Sequence, residues 1–239
     1  MTEPVRLSKR LAAQLPCSRS QAELYIEGGW ARVDGRVVEE PHFRVTDERI
    51  ELDPGASLQP PVPVTLLLHK PAGHAAPQQL LQPGTHWPSD PSGLRVLKRH
   101  FSQLSPALGL ETLASGLMVY TQDWRIARKL TEEAHLIETE LMVDVQGDVT
   151  PAQLQLLQQV PATPPQAGPV QLRASVSSRR DGHSRLRLAI KGGPSGLVAS
   201  LCERAGLQLL GLHRLRIGRV NLAAVPPGQW RYLQAHERF

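Results

Sequence analysis

A chain of 239 residues, 41% of them hydrophobic, is long enough to bury one large core or two smaller ones. The formal net charge of +5 points toward an anionic partner, and no apolar run approaches the ~18 residues of a membrane span. Cys17 and Cys202 show neither disulfide nor metal-ligand spacing, which excludes a disulfide scaffold and fits a reduced cytoplasmic protein with buried thiols. The opening MTEPVRLSKR lacks the apolar core of a signal peptide. Charge is unevenly placed: from Arg173 to Phe239 about a dozen Arg and Lys stand against about three acids, the expected footprint for nucleic acid.

In chain order, Leu7, Leu11 and Leu15 recur at four-residue spacing and predict a short amphipathic helix. Ser18 with Gln21 three residues on reads as a capping box for a second helix. Its apolar side is Ala22, Tyr25 and Ile26, and Gly28-Gly29 stops it. Asp34-Gly35 between two β-type runs, Trp30–Val33 and Arg36–Val38, predicts a hairpin, and Arg49–Leu52 a closing strand.

This order, with Arg6-Leu7-Ser8-Lys9, Ser18-Arg19, Ala22, Ile26, Gly29 and Val33-Asp34-Gly35, resembles the S4 RNA-binding domain. The resemblance implies that Lys9, Arg10, Ser18, Arg19 and Arg32 contact an RNA backbone. Arg and Lys neutralise phosphates, and a Ser at a helix N-terminus can bind one.

Residues 56–63 are Pro-rich and predict a stiff linker. Val64–Leu68 reads as a buried strand leading into His69-Lys70-Pro71-Ala72-Gly73, and Ala75–Ser92 as a loop. A second Pro-rich loop is expected over 162–169. Leu172–Val176 and Leu186–Ile190 predict a hairpin, Leu197–Ala205 a helix stopped at Gly206, and Leu209–Leu222 further strands. Arg214 and Arg216, two apart on a strand, are expected on one face.

The stretch Leu108–Leu117, LGLETLASGL, with the following MVYTQDW, resembles the active-site motif G-R-L-D-x-x-T-S-G-L-L-x-x-T-N-D-G of the RNA pseudouridine synthases, in their ribosomal small-subunit and S4-linked branch. HKPAG resembles that family's N-K-P-x-G, and the C-terminal RLRIG…PPGQWRYL its closing motif. The resemblance implies an α+β protein. An S4-like domain over 1–55 and a linker over 56–63 would precede a synthase-type domain over 64–239, built on a mixed, largely antiparallel sheet. It implies uridine isomerisation in structured RNA, ribosomal or in some members tRNA, without cofactor or metal. Glu111 stands at the position of the acting aspartate, and Lys70, Arg214 and Arg216 lie near the RNA.

Several positions depart from the pattern. Glu111 carries an extra methylene, and Gly109 replaces an arginine. Thr139 and Leu141 stand where a lysine and a base-stacking tyrosine are usual, and Gly193–Leu201 lacks the arginines of a basic helix start. These departures leave a second reading open, a non-catalytic RNA-binding or ribosome-assembly factor. Asp123 is expected to cap a turn and Asp144 to face solvent. Gly192–Gly196 lacks the ending of a phosphate loop and reads as a plain turn. The scattered histidines His69, His74, His86, His100 and His213 show no zinc spacing. The expected state is a monomer.

Overall fold

The computed structural model describes residues 3–60, 62–160 and 169–239. The Pro-rich loop expected over 162–169 therefore lies almost wholly outside the described residues. The chain divides into two compact units, one of residues up to Pro63 together with Leu94–Ser102, the other of Val64–Gly93 and Gln103–Phe239. The division differs from a continuous second domain over 64–239, since Leu94–Ser102 belongs with the N-terminal unit.

The N-terminal unit runs β1 (Val5–Arg6), α1 (Leu7–Gln14), α2 (Arg19–Glu27), β2 (Ala31–Val33), β3 (Arg36–Val37), β4 (Arg44–Val45) and β5 (Ile50–Leu52). The expected capping box is formed at the start of α2. Ser18 Oγ accepts the Gln21 N–H at 3.2 Å, and the Gln21 side chain accepts the Ser18 N–H at 2.8 Å. Asp34 and Gly35 take φ of 48° and 78°, the paired left-handed conformation of a two-residue hairpin, and join β2 to β3. Leu7, Leu11, Ala22, Ile26, Ala31, Val33, Val38 and Val45 form this unit's core. Arg95 ties Leu94–Ser102 to the same unit. It donates to the Gly29 carbonyl, pairs with Asp53 at 3.0 Å and lies 4.1 Å over the Trp30 ring.

The larger unit contains β6 (Thr65–Lys70), β7 (Ser105–Ala107), β8 (Ser115–Thr121), α3 (Trp124–Glu132), β9 (Glu138–Gln146), α4 (Pro151–Gln158), β10 (Gln171–Arg180), β11 (His183–Lys191), α5 (Leu197–Arg204), β12 (Leu209–Ile217), β13 (Val220–Asn221) and β14 (Trp230–Tyr232). They build one mixed sheet in the order β10-β11-β9-β12-β8-β6-β14, with β13 on β12 and β7 on β8. Among the strand pairs of the described residues, β8 and β12 run parallel and the others antiparallel. The protein is thus α+β. Alternation along β9 and β11 buries Leu141, Val143, Val145, Leu186, Leu188 and Ile190 against α4 and α5.

One glycine fixes how β8 meets β12. Gly116 has φ 110°, and a Cβ there would fall within 2.6 Å of the Arg214 backbone nitrogen. No other residue lets these strands approach so closely. Asp123 caps α3 by accepting the Arg125 N–H at 2.8 Å, which is the capping role read from the sequence.

Candidate active site

A cavity of about 500 Å³ opens between the loop preceding β8 and the loop preceding α5. Its apolar walls include Leu108, Ile137, Leu141, Ile190 and Leu212, and Glu111 stands in it beside Ser195 and Gly196. Glu111 sits in the short loop Leu108–Ala114, and two buried cations hold that loop from either side.

On one side, Arg214 is 5% exposed. Its Nη2 donates to the Leu108 carbonyl at 2.6 Å, Nη1 to Gly109 at 3.1 Å and Nε to Leu117 at 2.8 Å. These bonds brace Leu108, whose φ of 51° is a strained position for a non-glycine residue. On the other side, Lys70 is 1% exposed, and its ammonium donates to the carbonyls of Thr112 and Ala114 at 2.7 Å each and of Pro71 at 3.2 Å. Burial lowers the pKa of both, that of Arg214 to about 10, while the negative charge of Glu111 acts in the opposite sense on each. Arg214 remains a cation at neutral pH.

Glu111 Oε1 accepts the Gly196 N–H at 2.7 Å and the Ser195 hydroxyl at 2.9 Å. Burial raises its pKa. The backbone N–H groups of Glu111 and Gly196, the Ser195 hydroxyl and the Arg214 charge outweigh that and hold it below the usual glutamate value. The carboxylate is therefore ionised at neutral pH. Among the described residues it has no ion-pair partner within 4.0 Å, because Arg214 is engaged with carbonyls. Gly109 supplies no side chain, and a Cβ there would meet nothing within 4 Å.

Three residues expected near RNA make their contacts within the chain. Lys70 and Arg214 are enclosed and spend their donors on backbone, so neither presents a charge at a surface. Arg214 and Arg216 do not share a face. Arg214 pairs with Leu141 and Arg216 with the adjacent Glu140, because a bulge at Leu215 absorbs one residue and reverses the alternation. Arg214 turns to the cavity, whereas Arg216 bonds Glu138 at 2.7 Å and Glu140 at 3.0 Å on the other side. There Arg173 also pairs with Glu138 and Arg187 with Glu140, at 2.8 and 2.6 Å. Asp144, expected to face solvent, is half-buried and takes Arg185 in a two-point pair at 2.6 and 3.0 Å. Acids from β9 thus pair with four arginines of the cationic C-terminal stretch.

Leu141 lines the cavity at 7% exposure, where a stacking ring was a family expectation. The Thr139 hydroxyl is turned to the Ile190 carbonyl at 3.3 Å. Ser195 and Gly196 were read only as part of a plain turn. The signal that could have found them is the three glycines at 192, 193 and 196, all with positive φ, ahead of a helix. In the N-terminal unit, Lys9 and Arg10 lie on α1, Ser18 and Arg19 at the start of α2, and Arg32 on β2. Lys9 and Arg19 are exposed, and Arg19 forms a loose pair with Glu23 at 3.6 Å. Among the described residues, no group of three potential ligands is placed to hold a metal, and no helix is long and apolar enough to cross a membrane.

Residues 5–49 match the S4 domain family. The chain is 30% identical to an RNA pseudouridine synthase of Aquifex aeolicus over 98% of this chain and 94% of that one. It is also 30% identical to ribosomal small subunit pseudouridine synthase A of Pseudomonas aeruginosa, over 98% of both, and 27% identical to ribosomal large subunit pseudouridine synthase B of Bacillus subtilis. A crystal structure of a pseudouridylate synthase, 20% identical, covers 96% of each chain with a TM-score of 0.57 and shares the fold. Carrying the S4 domain at its N-terminus, the chain belongs to the RNA pseudouridine synthase family.

Proposed function

We propose that this protein binds structured ribosomal RNA through its S4 unit and isomerises a uridine to pseudouridine at the Glu111 cavity. The observation that carries this reading is an ionised carboxylate, fixed by two hydrogen bonds, in a cavity with largely apolar walls. The relatives named for ribosomal subunits supply the substrate class.

The reaction breaks the N1–C1′ bond, turns the uracil and rejoins it to C1′ through C5, with one proton lost from C5 and one gained at N1. Atoms balance without an oxidant, metal or cofactor. A uridine enters only after extrusion from its stack. Leu108, Leu141 and Leu212 then offer the base an apolar bed, and a carboxylate beside them is worth more as a charge than it is in water. Glu111 acts on the nucleotide either as nucleophile or as base at the ribose. The test is a pseudouridine map of ribosomal RNA from cells with and without the gene. Loss of one site in the deletion is expected, and an unchanged map rejects the reaction.

A second reading, a non-catalytic RNA-binding or assembly factor, is favoured by one observation. Arg214, the cavity's one lining Arg or Lys among the described residues, donates wholly to backbone carbonyls and leaves no cation to meet a phosphate. That reading predicts salt-dependent RNA binding that survives Glu111→Ala together with an unchanged map. Failure of the purified protein to bind ribosomal RNA at low salt rejects it.

A further inference from the structure

We infer that Ser195 and Gly196 are the positioning groups for the Glu111 carboxylate, doing from across the cavity what an arginine at position 109 would do from within the loop. The contact rests on geometry, and its catalytic consequence rests on the reaction proposed above.

Two departures from the family pattern fit together here. Without a side chain at 109, the carboxylate needs donors from elsewhere, and the nearest are on the loop that opens α5. Glutamate reaches them because its extra methylene extends the carboxylate by roughly 1.5 Å along the chain. An aspartate at 111 on the same backbone would stretch contacts of 2.7 and 2.9 Å beyond about 3.5 Å, where they cease to be hydrogen bonds. The loop is shaped for the approach. Gly192, Gly193 and Gly196 have φ of 78°, 98° and 81°, and a Cβ on Gly193 would lie 2.6 Å from Leu197 Cδ2. Gly196 is the N-cap of α5, so its N–H points along the positive end of the helix dipole. Both donors engage the same oxygen, Oε1.

Neither donor carries a charge. Arg214 and Lys70 act on Glu111 through their fields, and Glu132 and His135 also line the cavity. A pH titration therefore isolates the two hydrogen bonds when the charged groups are left intact.

The experiment is a carboxyl-carbon NMR titration of Glu111 in the full chain, comparing the wild type with Ser195→Ala and Ser195→Thr. We expect the Glu111 pKa to rise in Ser195→Ala and to return toward the wild-type value in Ser195→Thr, which keeps the hydroxyl. In the wild type, the Gly196 amide proton should shift with the same midpoint, a measurement that needs no variant. A Ser195→Ala curve superimposed on the wild type, or a Gly196 amide indifferent to the midpoint, overturns the contact. On ribosomal RNA, kcat should fall about tenfold in Ser195→Ala with KM little changed, the size expected for one hydrogen bond to a charge. Glu111→Asp should lower turnover rather than improve it, and adding Gly109→Arg should recover part of the loss. Unchanged turnover in Ser195→Ala overturns the positioning role. If the wild type makes no pseudouridine at all, the proposed reaction fails, and the titration still decides the contact.

Discussion

The two units differ in how deeply they hold cations. Lys9 and Arg19 in the N-terminal unit stand exposed on helices that pack through leucines and alanines, Arg19 in a loose 3.6 Å pair with Glu23. In the larger unit, Lys70 and Arg214 are swallowed by the loop they support, and Arg173, Arg185, Arg187 and Arg216 are paired with Glu138, Glu140 and Asp144. Arg231 pairs with Glu237 at 2.7 Å in the same unit. Counting charges along the chain assigns the nucleic-acid footprint to the C-terminal stretch. In space, four of those arginines meet acids from β9, a strand earlier in the sequence.

That contrast can be broken by substitution. Arg214→Met should have the largest effect, about 3–5 kcal/mol of stability, because it leaves the carbonyls of Leu108, Gly109 and Leu117 without donors in a buried site. Lys70→Met follows at about 2 kcal/mol for the same reason. Urea denaturation checks both, and a loss under about 1 kcal/mol for Arg214→Met would return it to the surface class.

Acid offers a second lever, this time on the N-terminal unit. His100, in Leu94–Ser102, is 4% exposed, and burial, helped by the Arg99 charge, lowers its pKa from 6.5 to about 4. The folded state thus prefers the neutral ring. Its contribution is complete above pH 6.5 and is lost as pH falls toward 4, by up to about 3 kcal/mol at about 1.4 kcal/mol per pKa unit. Denaturation midpoints followed over this range should fall less steeply in His100→Leu than in the wild type.

Removing presented charge should act on binding alone. Lys9→Ala with Arg19→Ala should weaken ribosomal RNA binding about tenfold at low salt, reduce the salt slope by about 2 and leave stability within about 0.5 kcal/mol. The smallest effect is expected at Arg173→Ala. Its pair with Glu138 is solvent-exposed, so stability should change by less than about 1 kcal/mol and RNA affinity by less than about twofold. A larger affinity loss at Arg173 than at Lys9 and Arg19 would reverse the comparison.

What the chain disclosed in advance was local. The Ser18–Gln21 capping box, the Asp34-Gly35 turn, the stop at Gly206 and the β10–β11 hairpin each depend on neighbours within a few residues, so composition and spacing suffice. The close approach behind Ser115-Gly116-Leu117 was legible as a motif, though its reason, the Arg214 backbone, lies 98 positions further on. The fate of Lys70 and Arg214 could not be read in this way. Apart from Pro71, their acceptors are backbone carbonyls 42 to 106 residues distant, and a carbonyl has no side-chain signature. The bulge at Leu215 was equally silent, yet it alone separates the two arginines. The helices α3 and α4 went unread among polar residues, and Leu94–Ser102 gave no sign that it belongs with the first unit.

The site teaches a related point. Glu111, Gly109 and the loop at 193–196 each look like a loss when compared position by position with the family pattern. Placed in space, the longer acid and the glycine-rich loop meet, and the space left at Gly109 is where the missing arginine would have stood.

The measurement that bears most directly on the account is pseudouridine formation on ribosomal RNA by the purified chain, comparing wild type with Glu111→Gln at matched RNA occupancy. The account predicts product from the wild type, none above background from Glu111→Gln, and binding by the two proteins within about twofold of each other. Wild-type protein that occupies the RNA and yields no pseudouridine, or Glu111→Gln that turns over at the wild-type rate, would contradict it.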